Sequence, residues 1–287
     1  MRLASALAVL ALVAAVPPSP ARAWSEQNHF VTGQVAAALL DANGTRFAQS
    51  LLGDARTETL GAAARWPDTS AVPPTYVNNR AWHYVNVPMK DGAYAEEACA
   101  RHPYPHATWP DQCVVAIVAR LRAVLRNPPA SDPMFARNGD AVKFLLHFIG
   151  DIHQPLHCGD DGDRGGNDTM VQWSRRADGS FRYSTKLHAF WDGEAVYASG
   201  LAGPLLVDRL VTTARARWAE WASGDAIAWC SESVALAARR GYPDGKAGGT
   251  QTMSPGFIRA ARDAAMERMA QAGARMAWTL NTLGAAQ

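Results

Sequence analysis

The chain has little that would place it among membrane, fibrous or low-complexity proteins. After its first two dozen residues, no stretch approaches the roughly 20 consecutive apolar residues of a spanning helix. Neither sign of charge is in real excess, with 28 Lys+Arg against 26 Asp+Glu in 287 residues, so no basic field argues for general attraction of DNA. Cysteine is limited to Cys99, Cys113, Cys158 and Cys230, and none shows the CxxC spacing of a zinc cage. Internal repeats are absent and strand-type alternation is sparse. Pro/Gly-rich stretches occur at Pro73-Pro74, Pro128-Pro129 and Gly241 to Pro255, and each reads as a surface loop rather than a domain linker. Apolar residues, by contrast, are plentiful. At 48% hydrophobic, the chain is neither disordered nor collagen-like and can bury a core.

The N-terminus reads as an export signal. Arg2 precedes an apolar run from Leu3 to Val16, and Ala21-Arg22-Ala23 forms a small-x-small end. The run is too short to span a bilayer, and Pro17, Pro18 and Pro20 prevent it from continuing as a helix. Cleavage between Ala23 and Trp24 is expected to yield a secreted or periplasmic protein, with residues 1–23 as signal and 24–287 as one domain. Loss of Arg2 and Arg22 would balance the charges at 26 each. An oxidising destination predicts two disulfides among the four cysteines, with all three connectivities open. Asn43-Gly44-Thr45 and Asn167-Asp168-Thr169 fit the glycosylation acceptor pattern, which only a eukaryotic secretory route would use.

The rest reads as mostly helical. Phe30 to Leu40 is rich in Ala, Val and Leu, with Asn43-Gly44 as its stop. Val114 to Leu125 and Ala141 to Ile149 are further apolar-periodic stretches. Between Pro204 and Ala222, Val207, Leu210 or Val211, Ala214, Trp218 and Trp221 recur at helical spacing. The clearest stripe is Ile258, Ala261, Ala265, Met269, Ala272, Met276, Leu280 and Leu283, which predicts a long core-facing helix. Met170 to Trp173 and Phe181 to Thr185 flank Ala177-Asp178-Gly179-Ser180 and predict one small hairpin. The expected class is all-α with that hairpin.

The chemistry lies in where histidines stand relative to aspartates. His147 is four residues before Asp151 in an otherwise apolar helix, and His188 is four before Asp192. Residues four apart share a helix face. A core helix has no packing use for such a pair, because an unpaired buried carboxylate is costly. One pair would suit an ordinary hydrogen-bonded couple. Two pairs, with His157 six residues after Asp151, point to a metal centre, since imidazole nitrogen and carboxylate oxygen are the ligands catalytic zinc takes. Pro155 is expected to end or kink the helix and turn His157 towards a different metal. The stretch Cys158 to Asn167 holds Asp160, Asp161 and Asp163, but it fails the spacing of a calcium loop and lacks its closing glutamate.

An ordered set of residues carries a resemblance. Trp24, His29, Arg65-Trp66-Pro67-Asp68 and Trp82-His83-Tyr84-Val85-Asn86-Val87-Pro88 come first. The block Phe144 to Asn167, containing HFIGDIHQPLH and DRGGN, is next, and then Leu187 to Asp192. The set resembles the zinc-dependent S-one/P-one family of type I, single-strand-specific nucleases and 3′-nucleotidases. Ala272 to Ala277 and Leu280-Asn281 extend it into the last helix.

The resemblance implies a single-domain all-α fold of the zinc phospholipase C and S-one/P-one type, holding three zinc ions. Asp68, His83 and His147 would hold one. Trp24, through its α-amino nitrogen and carbonyl oxygen, and His29 would hold a second, and Asp151 would bridge the two. His157, His188 and Asp192 would hold the third. Asp151 and Asp68 are thus the candidate catalytic residues. The implied reaction is hydrolysis of single-stranded DNA and RNA, and of 3′-mononucleotides, to 5′-phosphate products. A water or hydroxide bridging two zinc ions would attack, and the third zinc would stabilise the departing 3′ oxygen. Tyr84 matches a position that stacks a nucleobase, and Asn86 one that hydrogen-bonds it and is often aspartate; Asn167, ending Arg164-Gly165-Gly166-Asn167, is expected to contact phosphate. Ala71 departs from a frequent basic residue three places after the zinc aspartate. His102, His106 and His153 fall by default to surface or ligand-orienting roles. Single-stranded nucleic acid and nucleotides are the expected partners, of a monomer without stable membrane association.

Two rival readings remain. A zinc phospholipase C acting on phosphatidylcholine-type lipids would share the fold and the ligand logic, although WHYVN and DRGGN look more like the nucleases. A secreted protein with purely structural zinc would lack the open coordination position that catalytic zinc keeps.

Overall fold

Helices carry the architecture. The computed structural model describes residues 24–76, 79–100, 113–126, 135 and 137–287; His102, His106 and Pro128-Pro129 lie outside them. The chain begins with α1 (Glu26–Ala37), α2 (Ala42–Leu52), α3 (Thr57–Arg65), α4 (Glu96–Ala100), α5 (Val114–Arg126) and α6 (Asn138–Asp151). It continues with α7 (Leu187–Ala189), α8 (Ala195–Tyr197), α9 (Gly203–Ala216), α10 (Trp218–Trp221), α11 (Ala226–Arg240) and α12 (Pro255–Ala285). Short strands β1 (Val87–Pro88), β2 (Gly159–Asp160), β3 (Met170–Arg175), β4 (Phe181–Lys186) and β5 (Thr250–Thr252) complete it. The fold is mostly α, as the periodicity predicts. Among the described residues no helix is long and apolar enough to cross a membrane.

The long C-terminal helix α12 forms the axis, touching α1, α2, α6 and α9 among others. Its predicted stripe is buried from Ala261 to Leu283, with Ile258 half-buried. Burial goes beyond that stripe, however, because Arg268, Gln271, Arg275, Thr279 and Asn281 are buried too. Such polar groups are tolerated inside only when partnered. Arg268 and Arg275 both donate to Glu232 of α11.

Three expectations need correction, and one strand pairing lies outside them. Asn43-Gly44 does not stop a helix but lies inside α2, where the Asp41 carboxylate caps the Gly44 N–H at 2.9 Å. Glycine is required there because a Cβ would fall 2.0 Å from Asn281 Oδ1. The stretch from Pro204 to Ala222 is two helices, broken at Arg217, where φ −110° and ψ 11° leave the helical region. Gly241 to Pro255 is not all surface loop. Its residues 250–252 pair in parallel with β3, extending the predicted hairpin to the order β4-β3-β5, and Tyr242, Gln251 and Met253 are buried. A three-residue strand is too short to display alternation. The added pairing is that of β1 and β2, parallel and with no signal in the sequence. Val85 and Val87 donate backbone N–H groups to the carbonyls of His157 and Cys158 at 2.8 and 2.9 Å, so this pairing draws His83 and His157 together.

The disulfides are Cys99–Cys113 and Cys158–Cys230, which fit an oxidising setting. The second crosses 72 residues and ties the residue after His157 to α11. Replacing both Cys158 and Cys230 by serine is expected to cost about 2–4 kcal/mol of stability. Denaturant unfolding measures it; an unchanged midpoint would show that the bridge constrains little.

Candidate metal centre

Three groups of imidazoles and carboxylates converge: His29, His147 and Asp151; Asp68, His83 and His147; and His157, His188 and Asp192. Within each, the nearest ligand atoms lie within 4.8 Å of one another. α1 supplies His29. Asp68 sits in the 3₁₀ turn after α3 (Trp66–Asp68), and His83 ends another (Asn79–His83). His147 and Asp151 share one face of α6, as their spacing predicts. The helix ends at Asp151, and Pro155 opens the 3₁₀ turn Pro155–His157, because proline tolerates the first position of a turn. His188 lies in α7 and Asp192 in the π-helical turn Phe190–Glu194 beyond it. Such turns recur at functional sites.

His147 is common to two of these groups, and Asp151 reaches ligands of both. Its Oδ1 is 3.1 Å from His29 Nε2, and its Oδ2 is 3.0 Å from His83 Nδ1 and 3.4 Å from His147 Nε2. Although His29 Nε2 and Asp151 Oδ1 are within ion-pair reach, neither makes a hydrogen bond among the described residues, nor does His29 Nδ1. Orphaned buried polar atoms of this kind are costly unless something else satisfies them.

The third group makes the case for a cation more directly. His157 Nδ1 donates to the His83 carbonyl at 2.7 Å and His188 Nδ1 to the Gly165 carbonyl at 2.6 Å. A carbonyl only accepts, so each Nδ1 carries the proton and each Nε2 presents a lone pair. Those two Nε2 atoms face each other at 3.1 Å, with Asp192 Oδ2 3.7 Å from that of His188. Two lone pairs repel unless a cation lies between them. Tetrahedral zinc with Zn–N near 2.05 Å separates neighbouring nitrogens by about 3.3 Å. The donor set therefore fits zinc. His147 is held the same way, donating Nδ1 to the Ala64 carbonyl at 2.8 Å.

Electrostatics agree. Burial lowers the pKa of His83 and pushes those of His147 and His157 well below the ordinary histidine range, keeping them neutral. Burial also pushes Asp151 up to about 7 and raises Asp192 well above the usual carboxylate range. Carboxylates so placed are prepared to exchange a proton for a metal.

Several supporting residues escape a reading by sequence. Gln154, fully buried, donates from Nε2 to Asp192 Oδ1 at 2.8 Å. Asn28 donates to the Asp192 carbonyl at 2.8 Å. Gly150 lets the His29 ring approach α6, since a Cβ would fall 2.9 Å from its Nδ1. The signal for Gln154 and Gly150 is their place in HFIGDIHQPLH. Trp24 is fully buried, its indole donating to the Gly150 carbonyl at 3.0 Å, and the next residue's N–H meets the Asp192 carbonyl at 2.9 Å. The start of α1 thus sits between the two halves of the cluster. Tyr84 and Asn86 are half-buried beside His83. Asn167 donates to the Arg164 carbonyl at 2.9 Å, and Ala71 is exposed. His153 takes neither default role. Fully buried, it donates from Nδ1 to the Ile149 carbonyl and accepts from Arg275 at Nε2, so it joins α6 to α12.

The chain is thus a mostly helical protein whose buried, convergent His/Asp groups could hold metal ions, and comparison with known proteins makes its class specific. The family model described as S1/P1 Nuclease matches residues 24–285. Endonuclease 1 of Arabidopsis thaliana is 29% identical over 95% of this chain and 91% of its own length. Nuclease P1 of Penicillium citrinum is 25% identical over 91% of this chain and 97% of its own, and Nuclease S1 of Aspergillus oryzae 28% over 59% and 53%. The chain belongs to the S1/P1 nuclease family and is a nuclease.

Proposed function

We propose that this chain is a secreted three-zinc nuclease that hydrolyses single-stranded DNA and RNA, and 3′-mononucleotides, to 5′-phosphate products. Residues 1–23 would be its signal peptide and 24–287 its one domain. The observation that carries this reading is one fully buried carboxylate, Asp151, facing His29 on one side and His83 and His147 on the other. Asp68, His83 and His147 would hold one zinc, the Trp24 α-amine and carbonyl with His29 a second, and Asp151 both. His157, His188 and Asp192 would hold the third. Bound zinc supplies Lewis-acid charge and lowers the pKa of water, the chemistry that two-metal phosphodiesterases use. The protein's own part is to keep His147 and His157 neutral by burial and to aim His147, His157 and His188 through carbonyls that accept hydrogen bonds from their Nδ1 atoms. Asn167 retains an amide proton for a phosphate oxygen after its bond to Arg164.

The test sets denatured DNA, duplex DNA, RNA and phosphatidylcholine side by side against the mature protein, with zinc measured on the same sample. Cleavage of the single strands to 5′-phosphate ends with about three zinc ions bound supports the reading. Preference for phosphatidylcholine would make the protein a phospholipase, and full zinc without hydrolysis a structural site.

Tyr84 is the proposed stacking platform. Tyr84→Ala is expected to raise KM for single strands about tenfold, within the 1–3 kcal/mol of base stacking, without loss of zinc. Tyr84→Phe keeps the ring and should be nearly neutral. Steady-state kinetics with metal analysis decides, and a Tyr84→Ala protein that loses zinc would make Tyr84 a core residue instead.

A further inference from the structure

We infer that Arg80 binds the substrate phosphate at the Asp68–His83–His147 group, an assignment that rests on the nuclease reading above. Arg80 lies in the 3₁₀ turn Asn79–His83. Three residues complete such a turn, so positions three apart eclipse. Ala81 and Trp82 take the inward directions, at 4% and 1% exposure, and Trp82 packs edge-on against Phe144 and Phe148. The remaining edge carries Arg80 and His83 together, about 6 Å apart along the axis at ~2 Å of rise per residue. That spacing is within the reach of an arginine side chain. Trp82 anchors the turn, so the arginine projects from a fixed base.

Arg80 is exposed. Among the described residues its guanidinium has no ion-pair partner. Neighbouring cations are already engaged. Arg65, ending α3, lies over the Phe30 ring, and Lys143 of α6 holds Asp140 at 3.1 Å and lies over Trp66. An uncommitted guanidinium on the same edge as a proposed zinc ligand is suited to an anion bound there. Its planar fork matches two non-bridging phosphate oxygens, a geometry that lysine cannot reproduce. The ligand class is a phosphodiester or phosphate monoester, and the contact would act on binding.

The test compares the zinc-loaded mature wild type with Arg80→Ala and Arg80→Lys, with zinc content determined on each. KM for denatured DNA and the Kd of inorganic phosphate by calorimetry are measured at low and high salt. Arg80→Ala is expected to raise both about tenfold with zinc content unchanged. Its phosphate binding should also depend less on salt, while Arg80→Lys recovers part of the loss. KM and phosphate Kd within about twofold of wild type in Arg80→Ala would overturn the assignment, as would loss of zinc in that variant. A wild type that leaves denatured DNA intact would overturn the nuclease reading instead, and calorimetry would still judge Arg80.

Discussion

Asp151→Asn is expected to lower turnover on single-stranded DNA by orders of magnitude while the far-UV circular dichroism of the protein stays helical. The substitution keeps the shape of the side chain and removes its charge. In place of one carboxylate oxygen it sets an amide N–H, which is a donor, against imidazole nitrogens that are 3.0–3.4 Å away. Two metals would lose their shared ligand. Retention of more than about a tenth of wild-type turnover, equivalent to a loss of 1.4 kcal/mol, would make the bridging role untenable. Zinc affinity provides a second readout. Metal-free Asp151 titrates at about 7 because burial disfavours its charge, so below that pH a proton must leave before zinc can bind. His83, His147 and His157 impose no such limit near neutrality, since burial lowers their pKa values. Wild-type affinity should therefore fall as pH drops through about 7. Chelator competition on either side of that value measures the fall, which Asp151→Asn should flatten.

The second large effect concerns the chain start. Protein beginning at Trp24 is expected to hold one more zinc ion than protein carrying a single extra residue before it, and to turn over at least about tenfold faster. The Trp24 side chain is fully buried, and its indole and the following amide are tied to the Gly150 and Asp192 carbonyls. Gly150 adjoins one proposed ligand and Asp192 is another, so the Trp24 backbone is held at the cluster. As a peptide amide, its nitrogen has a delocalised lone pair and is a poor ligand. As a free amine, with an ordinary pKa near 7.7–8.0, it can lose a proton and bind metal. Signal cleavage would then complete the centre only after export, protecting intracellular RNA. Metal analysis and kinetics on the two forms provide the check. Equal zinc content and equal turnover would remove the amine from the mechanism.

How far residues can be read depends on how local their partners are. His147 and Asp151, or His188 and Asp192, lie within about one turn of each other, so spacing reveals them. Gln154 holds Asp192, 38 residues away, and Gly150 makes room for the ring of His29, on another helix. No periodicity encodes either contact. Helices α2, α3 and α11 are hard to see in the sequence because their apolar faces are narrow, with Gly61 in α3 and Ser231, Glu232 and Ser233 in α11 interrupting any simple stripe. Asn43-Gly44 has turn chemistry, yet close packing against Asn281 keeps it inside a helix.

Periodicity and ordered motifs are enough for the mostly helical class, the family, the hairpin and the choice of histidines and aspartates to inspect, because such signals reside in residues close together along the chain. Folding in three dimensions settles the rest. It chooses one disulfide connectivity of three, sets the bare Nε2 atoms of His157 and His188 face to face at 3.1 Å, and encloses α12 on most sides. It also places Arg80 and His83 on one edge, by making residues 79–83 a 3₁₀ turn rather than an α-helix. Each of these outcomes depends on which distant segments pack together, and on burial that shifts a carboxylate or silences an imidazole. The free energies that decide them come from contacts between residues far apart in sequence, where no local pattern carries the information.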